Sequence, residues 1–162
     1  MDRKRILVVS DSHRRSDNIQ KIIEKTGPVD MLIHLGDIED DTEKIKEWAG
    51  CPCYFVCGNC DYDFKLQNCQ IINLGPHRIF AVHGHKYAVH SDTLRLELAA
   101  KEMHSDIALF GHTHVPYLYE GSDITILNPG SCSQPRQYDG RKTYAIMEMD
   151  ENGRMNYEIC NL

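Results

Sequence analysis

No apolar run in these 162 residues approaches the ~20 needed to span a bilayer, so the chain is expected not to cross a membrane. Secretion is not expected either: Met1-Asp2-Arg3-Lys4-Arg5 is charged, but Ile6–Val9 is far shorter than a signal-peptide core and runs into Ser10-Asp11-Ser12-His13. A cytoplasmic location is the expectation. Positive charge is scarce. With 18 Lys and Arg against 24 Asp and Glu the formal net charge is −6, and the basic residues are scattered, which argues against duplex nucleic acid as a main partner. Repeats, low-complexity tracts and linkers are absent, and the length suits one domain over residues 1–162. Cysteine is plentiful at seven, but the odd number and irregular spacing lack the pattern of a small disulfide scaffold, so mostly free thiols in a reducing compartment are expected.

What the sequence does have is a series of short apolar runs that break off at polar residues. Arg5–Ser10 reads as a strand buried on both faces. Ser16 or Asp17 can cap a helix to about Thr26, with Ile19, Ile22 and Ile23 on one side and Gly27-Pro28 as its stop. A strand at Asp30–Leu35 follows, then a helix opened by Asp40 or Asp41 and closed by Gly50, then a strand at Cys53–Cys57. This β-α-β-α-β order implies a largely parallel sheet. Cys69–Leu74 and Arg78–His83, joined at Gly75-Pro76, suit an antiparallel hairpin. The pattern predicts a helix over Ser91–His104 with Leu94, Leu98 and Ala99 or Ala100 as its apolar stripe, then a strand at Asp106–Phe110. Val115–Glu120, Ile124–Leu127, Thr143–Asp150 and Arg154–Ile159 read as further, mostly antiparallel strands.

Five of these runs end in good metal ligands: Asp11 and His13, Asp37, Asn59, His83, then His112 and His114. An open α/β sheet gathers the carboxyl ends of its strands on one rim, so the seven side chains could share a crevice. In Asp11-Ser12-His13 and His112-Thr113-His114 the donors stand at i and i+2, which in extended chain points both the same way. Carboxylate, amide and imidazole together suit Mn²⁺ first, with Ni²⁺, Fe²⁺, Zn²⁺ or Mg²⁺ as alternatives. Asp37, with two oxygens, is the expected bridge between two ions ~3.5–4 Å apart. Two divalent ions against two aspartates and one hydroxide leave a centre of about +1, which welcomes a phosphate ester.

The motifs Asp11-x-His13, Gly36-Asp37, Gly58-Asn59-Cys60-Asp61, His83-Gly84-His85 and Gly111-His112-x-His114, followed by Asn128-Pro129-Gly130-Ser131, together resemble the calcineurin-like metallophosphoesterases, in particular their small single-domain phosphodiesterases. The resemblance covers nearly the whole chain. It implies a four-layer α/β/β/α sandwich of two mixed sheets flanked by helices. It also implies that Asp11, His13, Asp37 and His114 hold one metal and Asp37, Asn59, His83 and His112 the other. A bridging hydroxide would attack phosphorus in line while both ions polarise the phosphoryl oxygens. Larger members carry a histidine after the motif asparagine, where this chain has Cys60, so Cys60 and Asp61 are taken as neighbours of the chemistry without a histidine acid. His85 and Arg136 are candidate substrate contacts, and Arg14 a weaker one.

Competing readings attach to several of these residues. Cys51, Cys53, Cys57 and Cys60 could form a zinc site or redox pair, though small buried side chains beside Tyr54-Phe55-Val56 explain them better. Asn128–Ser131 could be a plain turn or could pack under the rim. The chain could also be a scaffold resembling the small retromer subunit, in which the ligand set is eroded; here every ligand position is filled. Exposed strand edges suggest a homodimer.

Overall fold

All four residues of Ile6-Leu7-Val8-Val9 are apolar because the strand that carries them is covered on both faces. In the computed structural model, which describes residues 1–162, the elements run β1 (Lys4–Val9), α1 (Ser16–Thr26), β2 (Met31–His34), α2 (Thr42–Ala49), β3 (Cys53–Phe55), β4 (Cys69–Leu74), β5 (His77–Val82), α3 (Leu94–Glu102), β6 (Ile107–Leu109), β7 (Tyr117–Glu120), β8 (Thr125–Asn128), β9 (Thr143–Met149) and β10 (Met155–Asn161). They form two five-stranded mixed sheets, ordered β10-β9-β1-β2-β3 and β4-β5-β6-β8-β7.

Strand alternation distributes the side chains into layers. Ile6 and Val8 of β1 meet Ile79, Ala81, Ile107 and Leu109 in the core between the sheets. Leu7 and Val9, one residue out of phase, lie under Ile19 and Ile22 of α1 and Ile45 of α2. Phe80 and Val82 face outward on the second sheet beneath Leu96 and Ala100 of α3. Each fully buried aliphatic side chain contributes ~1.5–3 kcal/mol by its removal from water, so these three clusters dominate the stability. The result is the expected α/β/β/α sandwich. None of its helices is long and apolar enough to cross a membrane.

Local signals hold where chemistry fixes them. Asp41 accepts from the Glu43 amide at 2.9 Å and opens α2, and Gly50 closes it in the left-handed conformation at φ 59°. α1 differs: Ser16 lies inside the helix and no side chain caps it. The turn is set instead by the backbone bond from Arg15 N to Ser12 O at 2.9 Å, which leads the chain out of the site loop. α3 starts later than the pattern predicts and turns another face inward. Leu94 and Leu98 are 57% and 53% exposed while Leu96 and Ala100 are buried. Two i, i+4 pairs compete in this leucine-rich stretch, and packing against Ala108 and Phe110 selects the second. The β4–β5 hairpin is antiparallel as expected, but β6 pairs in parallel with both β5 and β8, so the second sheet is more mixed than the strand spacing suggested.

At the edge where β5 begins, His77 ties the two sheets. Nδ1 lies 2.6 Å from Asp106 Oδ2 and Nε2 lies 2.7 Å from the carbonyl of Gly153, in the β9–β10 turn. Both nitrogens face acceptors, so these bonds favour the imidazolium over the neutral ring. Burial alone would lower its pKa, but the Gly153 and Asp106 oxygens outweigh it and raise it. A raised folded-state pKa gives stability that is complete below the unfolded value of ~6.5 and is lost as pH rises through the folded value. The stability gap between wild type and His77→Ala is therefore expected to be largest near about pH 5.5 and to shrink toward about pH 9. Denaturant midpoints of both proteins at the two pH values check this, and an unchanged gap would contradict it.

Candidate active site

Five strand ends place the polar motifs on one rim: the loops after β1, β2 and β3, the residue after β5, and the loop after β6. Two groups of side chains form there, and Asp37 belongs to both. In the first, His114 Nε2 is 3.1 Å and His13 Nε2 3.8 Å from Asp11 Oδ1, and His13 Nε2 is 3.6 Å from Asp37 Oδ2. In the second, His83 Nε2 is 3.3 Å from Asp37 Oδ2, and Asn59 Oδ1 lies 3.0 Å from His83 Nε2 and 3.1 Å from His112 Nδ1. All seven residues singled out in the sequence converge.

The proton inventory shows what such a pocket wants. His13 Nδ1 is 2.7 Å from Glu39 Oε2, His114 Nδ1 is 2.6 Å from the Gln134 carbonyl, and His83 Nδ1 is 2.7 Å from the Leu35 carbonyl. Each donates from Nδ1, so Nε2 is the nitrogen aimed inward, where it carries a proton to the carboxylates or gives that proton up to ligate a cation. The His13 and His114 Nε2 atoms then face each other at 3.2 Å, and buried Asp11 Oδ1 receives no hydrogen bond. Carboxylate, amide and imidazole groups crowd one space, and positive charge, borne by ring protons or by a cation, is what balances them. The residues fit a bound cation on this ground. The carboxylates are correspondingly acidic: burial raises Asp11 and Asp37, but neighbouring imidazoles, His114 and His83 for Asp11 and His83 for Asp37, outweigh it and bring both below the usual range. Burial, with His83 and His90 nearby, brings His112 down to about 4, leaving it neutral and free to ligate.

The backbone departs from the extended-chain expectation. Asp11, His13, Asp37, His112 and His114 have φ of 54°, 43°, 54°, 67° and 60°, all left-handed. The i, i+2 donors are thus gathered by kinks and not by strand alternation. Each such residue costs ~1–2 kcal/mol, and the surrounding bonds sustain the strain. Asp11 N bonds Gly36 O at 3.0 Å, His13 N bonds Asp37 O at 2.9 Å, and His112 N bonds Asp11 Oδ2 at 3.0 Å.

Asp61 does most of the tying. Its carboxylate accepts from Asp37 N at 2.8 Å, Ile38 N at 2.9 Å, Glu39 N at 2.9 Å and Gly58 N at 2.8 Å, fastening the loop after β2 to the loop after β3. Asp61→Ala is expected to cut turnover ~10–100-fold by loosening Asp37, with Asp61→Asn recovering part of it. Turnover and metal affinity of the two variants test this; a change below about twofold would place Asp61 outside the network.

Cys60 donates its backbone N–H to Asp37 Oδ1 at 2.8 Å, and burial, with Asp37 and Glu39 beside it, pushes its thiol up to about 11. The His85 ring sits 5.4 Å from that of His83, and its buried Nδ1 has no partner. Arg136 is exposed and is tied to the site only through its backbone N–H, 3.0 Å from His114 O. Arg14 is exposed and pairs with Glu39 at 3.6 Å. Asn128–Ser131 packs under the rim: Asn128 Nδ2 donates to Gly111 O at 3.0 Å and Ser131 Oγ to Asp11 O at 2.8 Å. Sequence reasoning missed Glu39, which orients His13, although Asp37-x-Glu39 repeats the spacing of Asp11-x-His13. It also passed over His90, whose ring lies 4.8 Å from that of His112.

The thiols do not make a site of their own. All seven cysteines are free, and no potential metal-binding group contains two of them; Cys60 alone joins one, with His13 and Glu39. Cys53 Sγ donates to the Cys51 carbonyl at 3.3 Å, and burial pushes its thiol up to about 12.

Known proteins resemble this chain in sequence and in fold. A family model described as the calcineurin-like phosphoesterase superfamily domain matches residues 5–152. A probable metallophosphoesterase of Bacillus subtilis is 30% identical over 152 residues, which cover 91% of this chain and 85% of that protein. A phosphodiesterase of Methanocaldococcus jannaschii is 29% identical over 146 residues, 79% of this chain and 84% of that one. The crystal structure of a predicted phosphoesterase from Streptococcus pneumoniae TIGR4 aligns with a TM-score of 0.82 at 28% identity, covering 100% of this chain and 99% of its own. Zinc-complexed Vps29 from Entamoeba histolytica, 20% identical, shares the fold at a TM-score of 0.76 over 97% of this chain and 98% of its own. The chain belongs to the calcineurin-like phosphoesterase superfamily.

Proposed function

We propose that this protein is a metal-dependent phosphodiesterase with a dinuclear centre. Asp11, His13, Asp37 and His114 would hold one divalent cation, and Asp37, Asn59, His83 and His112 the other. The observation that carries this reading is the Asp37 carboxylate, common to two clusters of converging lone pairs. A cation pair bound there supplies Lewis acidity and, from water, a nucleophile available near neutral pH.

The chain's own residues do the rest. Glu39, the Gln134 carbonyl and the Leu35 carbonyl take the Nδ1 hydrogens of His13, His114 and His83, so Nε2 is the inward nitrogen in each and the one that would ligate a cation. Asp61 holds Asp37 from behind through the backbone. Cys60, held protonated, occupies the place where a histidine acid would serve the leaving group. That favours esters whose alcohol leaves without strong protonation, such as aryl diesters, and the naming of a relative as a phosphodiesterase supports the diester class. Manganese is the first candidate for this oxygen and nitrogen donor set. Seven unpaired thiols support a reducing cytoplasmic setting, and the open edges of β3, β4, β7 and β10 support a homodimer.

A scaffold role in the manner of Vps29 is the second reading, favoured by the shared fold. The complete acceptor set weighs against it. Elemental analysis of the purified protein, followed by manganese add-back to chelated protein and assay on aryl mono- and diesters, separates the two. The expected result is bound divalent metal and restored diester turnover; a chelated protein indifferent to metal would overturn the enzyme reading.

A further inference from the structure

We infer that the cavity beside His112 is a subsite for one ester arm of the substrate, and that it takes a planar, hydroxyl-bearing group of nucleoside type. This inference rests on the phosphodiesterase reading and adds a substrate class to it. The cavity measures about 420 Å³ and is lined by His90, Asp92, Thr113, Val115, Pro116 and Tyr117 among others, a size that suits a small organic group. It adjoins the candidate centre. Thr113 stands between His112 and His114 in the loop that forms both the rim of the centre and one wall of the cavity. His90, from the segment before α3, sets its ring edge against that of His112 with centroids 4.8 Å apart, and so marks where phosphate would end and the arm begin.

The two walls differ in chemistry. On one, Val115 and Tyr117 are 38% and 40% exposed, and the Tyr117 ring is braced edge-on by Phe110 with centroids 6.2 Å apart. A fixed, solvent-facing aromatic of this kind is a stacking platform for a planar ring. The other wall carries His90, Ser91, Asp92 and Thr93. Asp92 Oδ1 accepts from Leu94 N at 2.9 Å, which leaves Oδ2 for an outside donor. A sugar hydroxyl supplies that donor. An acyl chain would desolvate the carboxylate without pairing it, and a second phosphate would be repelled by it. A ring on a sugar fits both walls.

The test titrates magnesium-loaded, isotope-labelled protein with adenosine 5′-monophosphate and, separately, with inorganic phosphate, reading backbone amide shifts. Adenosine monophosphate is expected to move the amides of Ser91–Leu94 and of Thr113, Val115 and Tyr117, and phosphate to leave them unmoved. Tyr117→Ala should weaken the nucleotide about tenfold while Tyr117→Phe binds as wild type, and phosphate affinity should be the same in all three. An active, phosphate-binding enzyme in which the two probes shift the same amides, or in which Tyr117→Ala binds the nucleotide normally, overturns the subsite alone. A protein that binds neither probe and turns over no diester overturns the subsite and the phosphodiesterase reading together.

Discussion

Asp37→Asn is expected to lower turnover of an aryl phosphodiester by on the order of 10³-fold while leaving the circular dichroism near native. The substitution keeps the size of the side chain, and the amide oxygen can still accept from Cys60 N, now 2.8 Å from Asp37 Oδ1. What changes is the inward atom. Asp37 Oδ2 lies 3.3 Å from His83 Nε2 and 3.6 Å from His13 Nε2, so an NH₂ there puts a donor where a charged acceptor faced both imidazoles. One substitution thus removes a negative charge from both clusters and fills the space between them with a donor. A readout independent of catalysis follows. A cation that binds the folded chain at 100 times its Kd stabilises it by about 2.7 kcal/mol, and this increment should vanish in the variant. Turnover within about tenfold of wild type, with bound metal retained, would refute the assignment of Asp37 as the shared ligand.

Much of this site was legible because strand ends are legible. Ile6–Val9, Met31–Ile33 and Ile107–Phe110 are apolar runs too short to be anything but buried strands, and a polar residue soon after such a run in an α/β protein falls on the ligand-binding rim. The α/β order followed from the same runs and the helices between them, whereas the four-layer sandwich came from the family resemblance. The orientation of α3 did not, since Leu94, Leu96 and Leu98 offer two faces of equal apolarity and only the underlying sheet decides. The left-handed backbone at Asp11, His13, Asp37, His112 and His114 was also invisible: aspartate and histidine tolerate positive φ better than most residues but seldom adopt it, and here bonds such as His112 N to Asp11 Oδ2 impose it from another loop. The cavity beside His112 was hidden for a related reason. Asp92 and Tyr117 are 25 residues apart and belong to different elements, so only the tertiary fold brings them to one pocket.

Gly58→Ala is expected to be the most damaging change outside the ligands. A Cβ at Gly58 would overlap both the side-chain Oδ1 and the backbone nitrogen of Asp37, with Asp37 Cγ 2.8 Å away. Backbone cannot yield as the tip of a flexible side chain can, so the loop after β3 must move away from the loop after β2. Asp61 opposes that movement, because its carboxylate binds Gly58 N and Asp37 N at 2.8 Å each and holds both loops at this separation. The variant can relieve the overlap only by breaking those bonds or displacing Asp37 from His83 and His13. A destabilisation of ~1–3 kcal/mol is expected from the overpacking, together with a loss of turnover of at least about 100-fold. Gly50→Ala is the control. Gly50 has φ 59° and nothing within 4 Å of the added methyl, so it should cost ~1 kcal/mol of backbone strain and leave turnover and metal content unchanged. Denaturant midpoints, metal content and diester turnover of both variants separate the two effects. If Gly58→Ala behaved like Gly50→Ala in all three, the close approach of the two loops would have no part in placing Asp37.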